Sequence, residues 1–178
     1  MQKKVLIIVS PRDFRDEEYF IPKGLLKKAA LTVDTASTAL GIAYGVMGGE
    51  AEVNLLLEKV EVKDYAAVVF IGGPGARSYF DHPEVHRIAQ EAAKMKMVLA
   101  AICIAPVILA RSGVLAGRRA TVWTSALDKS AVRDLERGEA TYLAEELVID
   151  DNIITAQGPA AASKFAAAII HKLQSSNL

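Results

Sequence analysis

The 178-residue chain contains one cysteine, in the segment Ala100-Ala101-Ile102-Cys103-Ile104-Ala105-Pro106. There an apolar run gives way to a helical pattern with almost no connecting residues. Cys103 occupies the corner, flanked at a distance of two by the small residues Ala101 and Ala105. This is the small-x-nucleophile-x-small pattern of a nucleophile elbow. Small side chains let strand and helix approach closely, which forces the corner residue into a strained, outward position. Pro106 suits the first helical turn, where a missing N–H loses nothing. A sulfur at such a corner lies near a helix N-terminus, which favours thiolate over thiol. The backbone N–H of Ile104 is free there to bind a developing oxyanion. The competing reading is an inert core cysteine, since a free cysteine in apolar sequence commonly behaves as a small hydrophobe.

Two other segments can serve the same chemistry. Gly72-Gly73-Pro74-Gly75 follows an apolar run, and glycine brings bare backbone N–H groups close to a ligand. The N–H of Gly73 is thus a candidate second oxyanion donor, and the alternative is a plain strand-to-helix turn. The segment lacks the third glycine of a dinucleotide fingerprint. Asp16-Glu17-Glu18 opens a helix, where acidic side chains are favoured by the helix dipole. These three are either a solvated helix end or a source of one carboxyl group for Cys103. His82, His86 and His171 read as surface residues, without the His-x-Glu pattern of a cysteine–histidine–acid triad. No metal-ligand spacing is present, and no cofactor is expected.

The elements that must position these residues alternate between strand and helix. Val5–Val9, Ala67–Ile71 and Val98–Ile102 are continuous apolar runs, the mark of strands buried on both faces. Leu31–Ala36 and Ala120–Trp123 read as further strands, and Leu147–Ile149 with Ile153–Thr155 as a strand–turn–strand. The glycine-rich Gly41–Glu52 stretch reads as a hairpin. Helices are expected over Glu17–Ala30 (with Pro22 placed early, where proline is best tolerated), Pro83–Met95, Ala105–Arg111, Lys129–Arg137 and Pro159–Leu173. This alternation predicts an α/β fold, a mostly parallel sheet covered on both faces in a flavodoxin-like three-layer sandwich, with residues 1–178 as a single domain. In such sheets ligands bind at the carboxyl ends of the strands, where the Cys103 corner lies.

Composition narrows the function classes. Lys+Arg and Asp+Glu both number 21, so net charge offers no basis for a nucleic-acid or acidic-membrane partner. The first apolar run is far too short for a membrane span or signal-peptide core, and a cytoplasmic location is expected. With one cysteine, no intrachain disulfide can form.

Taken together, Glu18 four residues before Pro22, Gly72-Gly73 after a strand, and Ala100-Ala101-Ile102-Cys103 with Pro106 resemble the ThiJ/PfpI superfamily. Gly113-Val114-Leu115-Ala116-Gly117-Arg118 and Gly158-Pro159 also match, so the resemblance covers nearly the whole chain. That group contains intracellular proteases and the Parkinsonism-associated protein deglycase. The resemblance implies that Cys103 is an oxidisable nucleophile and that Glu18 is a protonated glutamate bonded to its sulfur. It further implies that Gly73 and Ile104 are the backbone donors around the sulfur, with Gly72 and Trp123 lining the pocket, and that the protein forms a homodimer or larger homo-oligomer. Protease-like members carry a histidine after the cysteine, where this chain has Ile104. Several deglycase-like members carry one where this chain has Trp123. Without an imidazole, peptidase activity is not expected, because general acid–base catalysis is worth roughly 100- to 10,000-fold. The resemblance therefore implies a cysteine enzyme acting on small carbonyl, glycated or acyl groups, hydrolase- or glyoxalase-like. The alternatives are a redox-sensing stress-response protein with an oxidisable cysteine, or a scaffold that has lost catalysis.

Overall fold

A computed structural model describes residues 3–175. Six of the strand runs read from the sequence form one mostly parallel sheet, joined at one edge by a two-residue strand not foreseen, Leu55–Leu56. Its strands are β1 (Lys4–Ile8), β3 (Thr32–Ser37), β6 (Leu55–Leu56), β7 (Ala67–Phe70), β8 (Val98–Ile102), β11 (Leu147–Asp150) and β12 (Ile153–Ala156). They lie in the order β11-β12-β8-β7-β1-β3-β6, and only β11 runs antiparallel to its neighbour. Every residue of β7 and β8 is buried, as strands covered on both faces require.

Helices α1 (Asp16–Lys28) and α5 (Ala162–Ser175) pack on each other over one face of the sheet. On the other face lie α2 (Pro83–Lys94) and α3 (Pro106–Arg111), with α4 (Ser130–Arg137) against α3. The result is the flavodoxin-like α/β sandwich that the alternation predicts. The glycine-rich stretch forms the expected hairpin, β4 (Gly41–Gly45) with β5 (Glu50–Val53), and β4 also pairs with a short strand not foreseen, β2 (Arg12–Phe14).

Three expectations are corrected. α1 begins at Asp16, so Pro22, though early, falls in the second turn, inside the helix rather than where proline is best tolerated. Proline has no N–H, so the carbonyl of Glu18 loses its usual helical donor while the helix continues through a buried packing site. The strand read at Ala120–Trp123 shrinks to β9 (Arg119–Ala120), paired with the unforeseen β10 (Thr141–Tyr142). Beyond Ala120 the N–H groups find other acceptors: Thr121 donates to Thr155 Oγ1 at 2.9 Å and Trp123 to the carbonyl of Cys103 at 2.8 Å. His82 and His86 are half-buried rather than fully on the surface, His86 Nε2 lying 2.6 Å from the carbonyl of Phe80.

Candidate active site

Three neighbouring segments converge at the carboxyl edge of the sheet. β8 delivers Cys103, whose N–H still donates to the carbonyl of Ala156 on β12 at 2.9 Å. The ladder holds the chain until the corner itself, and Cys103 then turns into the left-handed region at φ 65°. That conformation costs a side-chain-bearing residue roughly 1–2 kcal/mol. Other left-handed residues, such as Ala30, Lys96 and Glu139, follow the ends of helices, where this conformation is a common stop. Cys103 alone among them ends a strand of the main sheet and begins a helix.

β7 delivers the glycine turn beside it. A Cβ on Gly72 would sit 2.6 Å from Cys103 Cβ and 2.8 Å from Glu18 Oε2, so this residue has to be glycine for the other two to meet. Gly73 adopts φ 98°, and a Cβ there would lie 2.5 Å from the backbone nitrogen of Arg15. The N–H of Arg15 donates to the carbonyl of Gly72 at 3.0 Å, which docks the entry of α1 onto the glycine turn.

α1 sorts the acidic run Asp16-Glu17-Glu18 into three environments. Asp16 accepts the N–H groups of Met47 (2.8 Å) and Gly49 (2.7 Å), tying the helix to the β4–β5 turn. Glu17 pairs with Arg15 at 3.1 Å. Only Glu18 points inward: it is fully buried, and its Oε2 accepts the N–H of Gly72 at 3.0 Å. Its Oε1 has no other partner in hydrogen-bonding geometry, an arrangement suited to a protonated carboxyl facing the thiol.

Burial dominates the electrostatics. It raises Glu18 to about 7, against which the contact with the Cys103 thiol, the Gly72 N–H and the Arg15 charge act more weakly. Cys103 is pushed up to about 12, first by burial and then by the Glu18 charge. The N–H groups of Gly73 and Ile104 act on the sulfur in the opposite sense, favouring its charge. The expectation of a thiolate favoured by the helix terminus is therefore overturned, because desolvation and a neighbouring carboxylate outweigh a few aligned dipoles. Two negative charges cannot coexist here, so the pair gives up one proton in the neutral range rather than two.

The sulfur is not sealed off. Cys103 keeps 9% of its surface and lines a cavity of about 380 Å³ together with Gly73, Ile104, Trp123, Arg15 and Arg77. Trp123 forms part of its wall and is fixed by its N–H bond to the Cys103 carbonyl. Gly72 and Glu18 lie behind the sulfur rather than on the cavity wall. Among the described residues, no histidine lines this cavity. Sequence reasoning missed both arginines, although each follows the carboxyl end of a strand, where ligand-binding residues gather. Among the described residues, no group of three or more histidine, cysteine or acidic side chains is placed to hold a metal ion.

The DJ-1/PfpI family model matches residues 3–172. The chain belongs to the DJ-1/PfpI family. An uncharacterized protein of Methanocaldococcus jannaschii is 34% identical over 175 residues, covering 98% of this chain and 84% of that one. A glutathione-independent glyoxalase of Caenorhabditis elegans is 27% identical over 173 residues, 97% of this chain and 90% of its own. The deglycase PfpI of Pyrococcus furiosus is 27% identical over 154 residues, 86% and 90% of the two chains. Among solved structures, a ThiJ/PfpI domain protein from Brachyspira murdochii superposes with a TM-score of 0.92 at 29% identity, covering 98% of this chain and 99% of that one. No helix among the described residues is long and apolar enough to cross a membrane.

Proposed function

We propose that this DJ-1/PfpI protein is a cysteine-dependent enzyme acting on small carbonyl compounds, of the glyoxalase or deglycase type. One observation carries the reading: a left-handed cysteine at a strand end has its sulfur held between a buried carboxyl and two backbone N–H groups, and open to a cavity.

With a 2-oxoaldehyde, the sulfur electron pair forms a C–S bond to the aldehyde carbon as the carbonyl π pair moves onto oxygen. The thiol proton passes to the Glu18 carboxylate and on to that oxygen, giving a hemithioacetal. With Glu18 as the base, the aldehyde-carbon proton then moves to the neighbouring keto carbon and the hemithioacetal hydroxyl proton to the keto oxygen. Water cleaves the resulting thioester to a 2-hydroxy acid and the free Cys103 thiol. The net change is addition of one water. Glu18 suits this work because a base near 7 is half-loaded at neutral pH. Trp123 and Ile104 leave no imidazole in the cavity, so peptide cleavage is not part of this reading.

The test is turnover of methylglyoxal by wild type, Cys103→Ser and Glu18→Gln. Both variants should lose it, and the wild-type rate should rise with pH through about 7 as the pair loses its proton. Full turnover by Cys103→Ser removes the proposal. Selective gain of two oxygens at Cys103 under peroxide, with no carbonyl turnover, favours the redox-sensor alternative.

We also read this protein as a cytoplasmic homodimer or larger homo-oligomer. Phe20, Ile21, Ile42, Tyr44, Val46 and Met47 are exposed apolar side chains on α1 and the β4–β5 hairpin, elements that Asp16 ties together, and a second copy would cover them.

A further inference from the structure

The Cys103 cavity carries a charge pattern that a pocket for neutral carbonyls does not need. Among the described residues, the charged side chains that line it are Arg15 and Arg77, and no acidic side chain reaches its wall. Arg15 is half-buried at the mouth of α1, anchored through its backbone to the glycine turn. Its Nε is buried without a partner in hydrogen-bonding geometry, although the Glu17 carboxylate lies 3.1 Å away. The Arg15 charge is felt as far as the Glu18 carboxyl behind the sulfur. Arg77 projects from the turn Pro74–Tyr79 that follows Gly73. It forms no ion pair within 4 Å among the described residues, and Asp128 feels it only at longer range. Glu17 therefore offsets one guanidinium at close range, while the other has no carboxylate within 4 Å among the described residues.

We infer that the two arginines select the substrate: the cavity takes a small aldehyde or 2-oxoaldehyde that also carries an anionic group, a carboxylate or a phosphate. The anionic group would sit between the guanidinium groups while the aldehyde carbon faces the sulfur. Arginine suits this role because its planar fork binds carboxylate and phosphate oxygens in pairs. The apolar remainder of the wall, with Trp123 and Ile104, lowers the local dielectric and strengthens that attraction. This inference rests on the cysteine-enzyme reading and adds its substrate class; the anionic group itself is not transformed.

A pair of alkylating agents of nearly equal size and opposite demand on charge tests it without requiring turnover. Intact-mass kinetics would follow Cys103 modification by iodoacetate, an anion, and by iodoacetamide, its neutral counterpart. The iodoacetate-to-iodoacetamide rate ratio in the native protein should exceed that of a free-cysteine peptide. It should fall about tenfold in Arg15→Gln/Arg77→Gln and be retained in Arg15→Lys/Arg77→Lys. Inorganic phosphate and acetate, each tested as a protectant against iodoacetamide, then distinguish phosphate from carboxylate as the preferred anion. A ratio equal to the peptide's, or unchanged by the glutamine pair, overturns the inference and leaves the cysteine-enzyme reading standing. A Cys103 inert to iodoacetamide itself overturns both.

Discussion

Two corners at the carboxyl edge of the sheet, one after β7 and one after β8, both place a residue in left-handed backbone, and they do so for opposite reasons. At Gly73 the conformation comes with no room, since any side chain would run into the backbone of Arg15 and Asp13. At Cys103 a positive φ is likewise adopted, but by a residue with a side chain, whose sulfur faces the cavity. The first corner solves a packing problem with the one residue that has no Cβ. The second tolerates strain where glycine would be easier, which is the behaviour expected of a functional position. A glycine corner and a cysteine corner side by side thus divide the labour: one supplies close approach, the other presents a sulfur to the cavity.

This contrast predicts unequal responses to mutation. Gly73→Ala should be the most damaging change, because left-handed strain and a backbone clash add: a loss of at least about 3 kcal/mol in urea unfolding is expected. An alanine tolerated at that position would break the comparison. The next effect is a pH dependence. Glu18 is raised from 4.5 to about 7 in the folded protein, so between these values the native state holds a proton that the unfolded chain has lost. Stability from this group is thus fully present below about 4.5 and declines as pH rises toward 7, by up to about 3 kcal/mol. Denaturant midpoints across that range should fall in wild type and stay nearly flat in Glu18→Gln.

A smaller effect is expected at Asp16, which serves the hairpin rather than the sulfur. Asp16→Ala leaves the N–H groups of Met47 and Gly49 without their acceptor and should lower stability by about 2 kcal/mol. The smallest effect belongs to Cys103→Gly, which relieves the left-handed strain but loses a buried side chain. Its unfolding free energy should stay within about 1 kcal/mol of wild type while carbonyl turnover disappears. A strongly destabilised glycine variant would mean that the cysteine is there for packing.

The apolar runs made the central strands legible, because a strand buried on both faces has no polar residues to break the run, and β7 and β8 are wholly buried. The elbow was legible for a local reason: small residues around Cys103 allow a tight strand-to-helix corner. Less visible were the short strands β2, β9 and β10, with two or three residues each, too few for any periodicity to register. The acidic run at the start of α1 looked uniform in sequence and was not. Only packing could decide that Asp16 ties down a hairpin, Glu17 meets Arg15 and Glu18 is buried behind the sulfur.

By itself, the order of residues determined where the chain could bend and which atom could attack, since both follow from local sterics and residue chemistry. Tertiary structure decided how that atom ionises and what surrounds it. Burial and the Glu18 carboxyl hold the proton on the pair against the pull of nearby N–H groups, and segments far apart in the chain bring Arg15, Arg77 and Trp123 to one cavity. Desolvation and long-range proximity belong to the folded molecule, and no pattern confined to neighbouring residues encodes them.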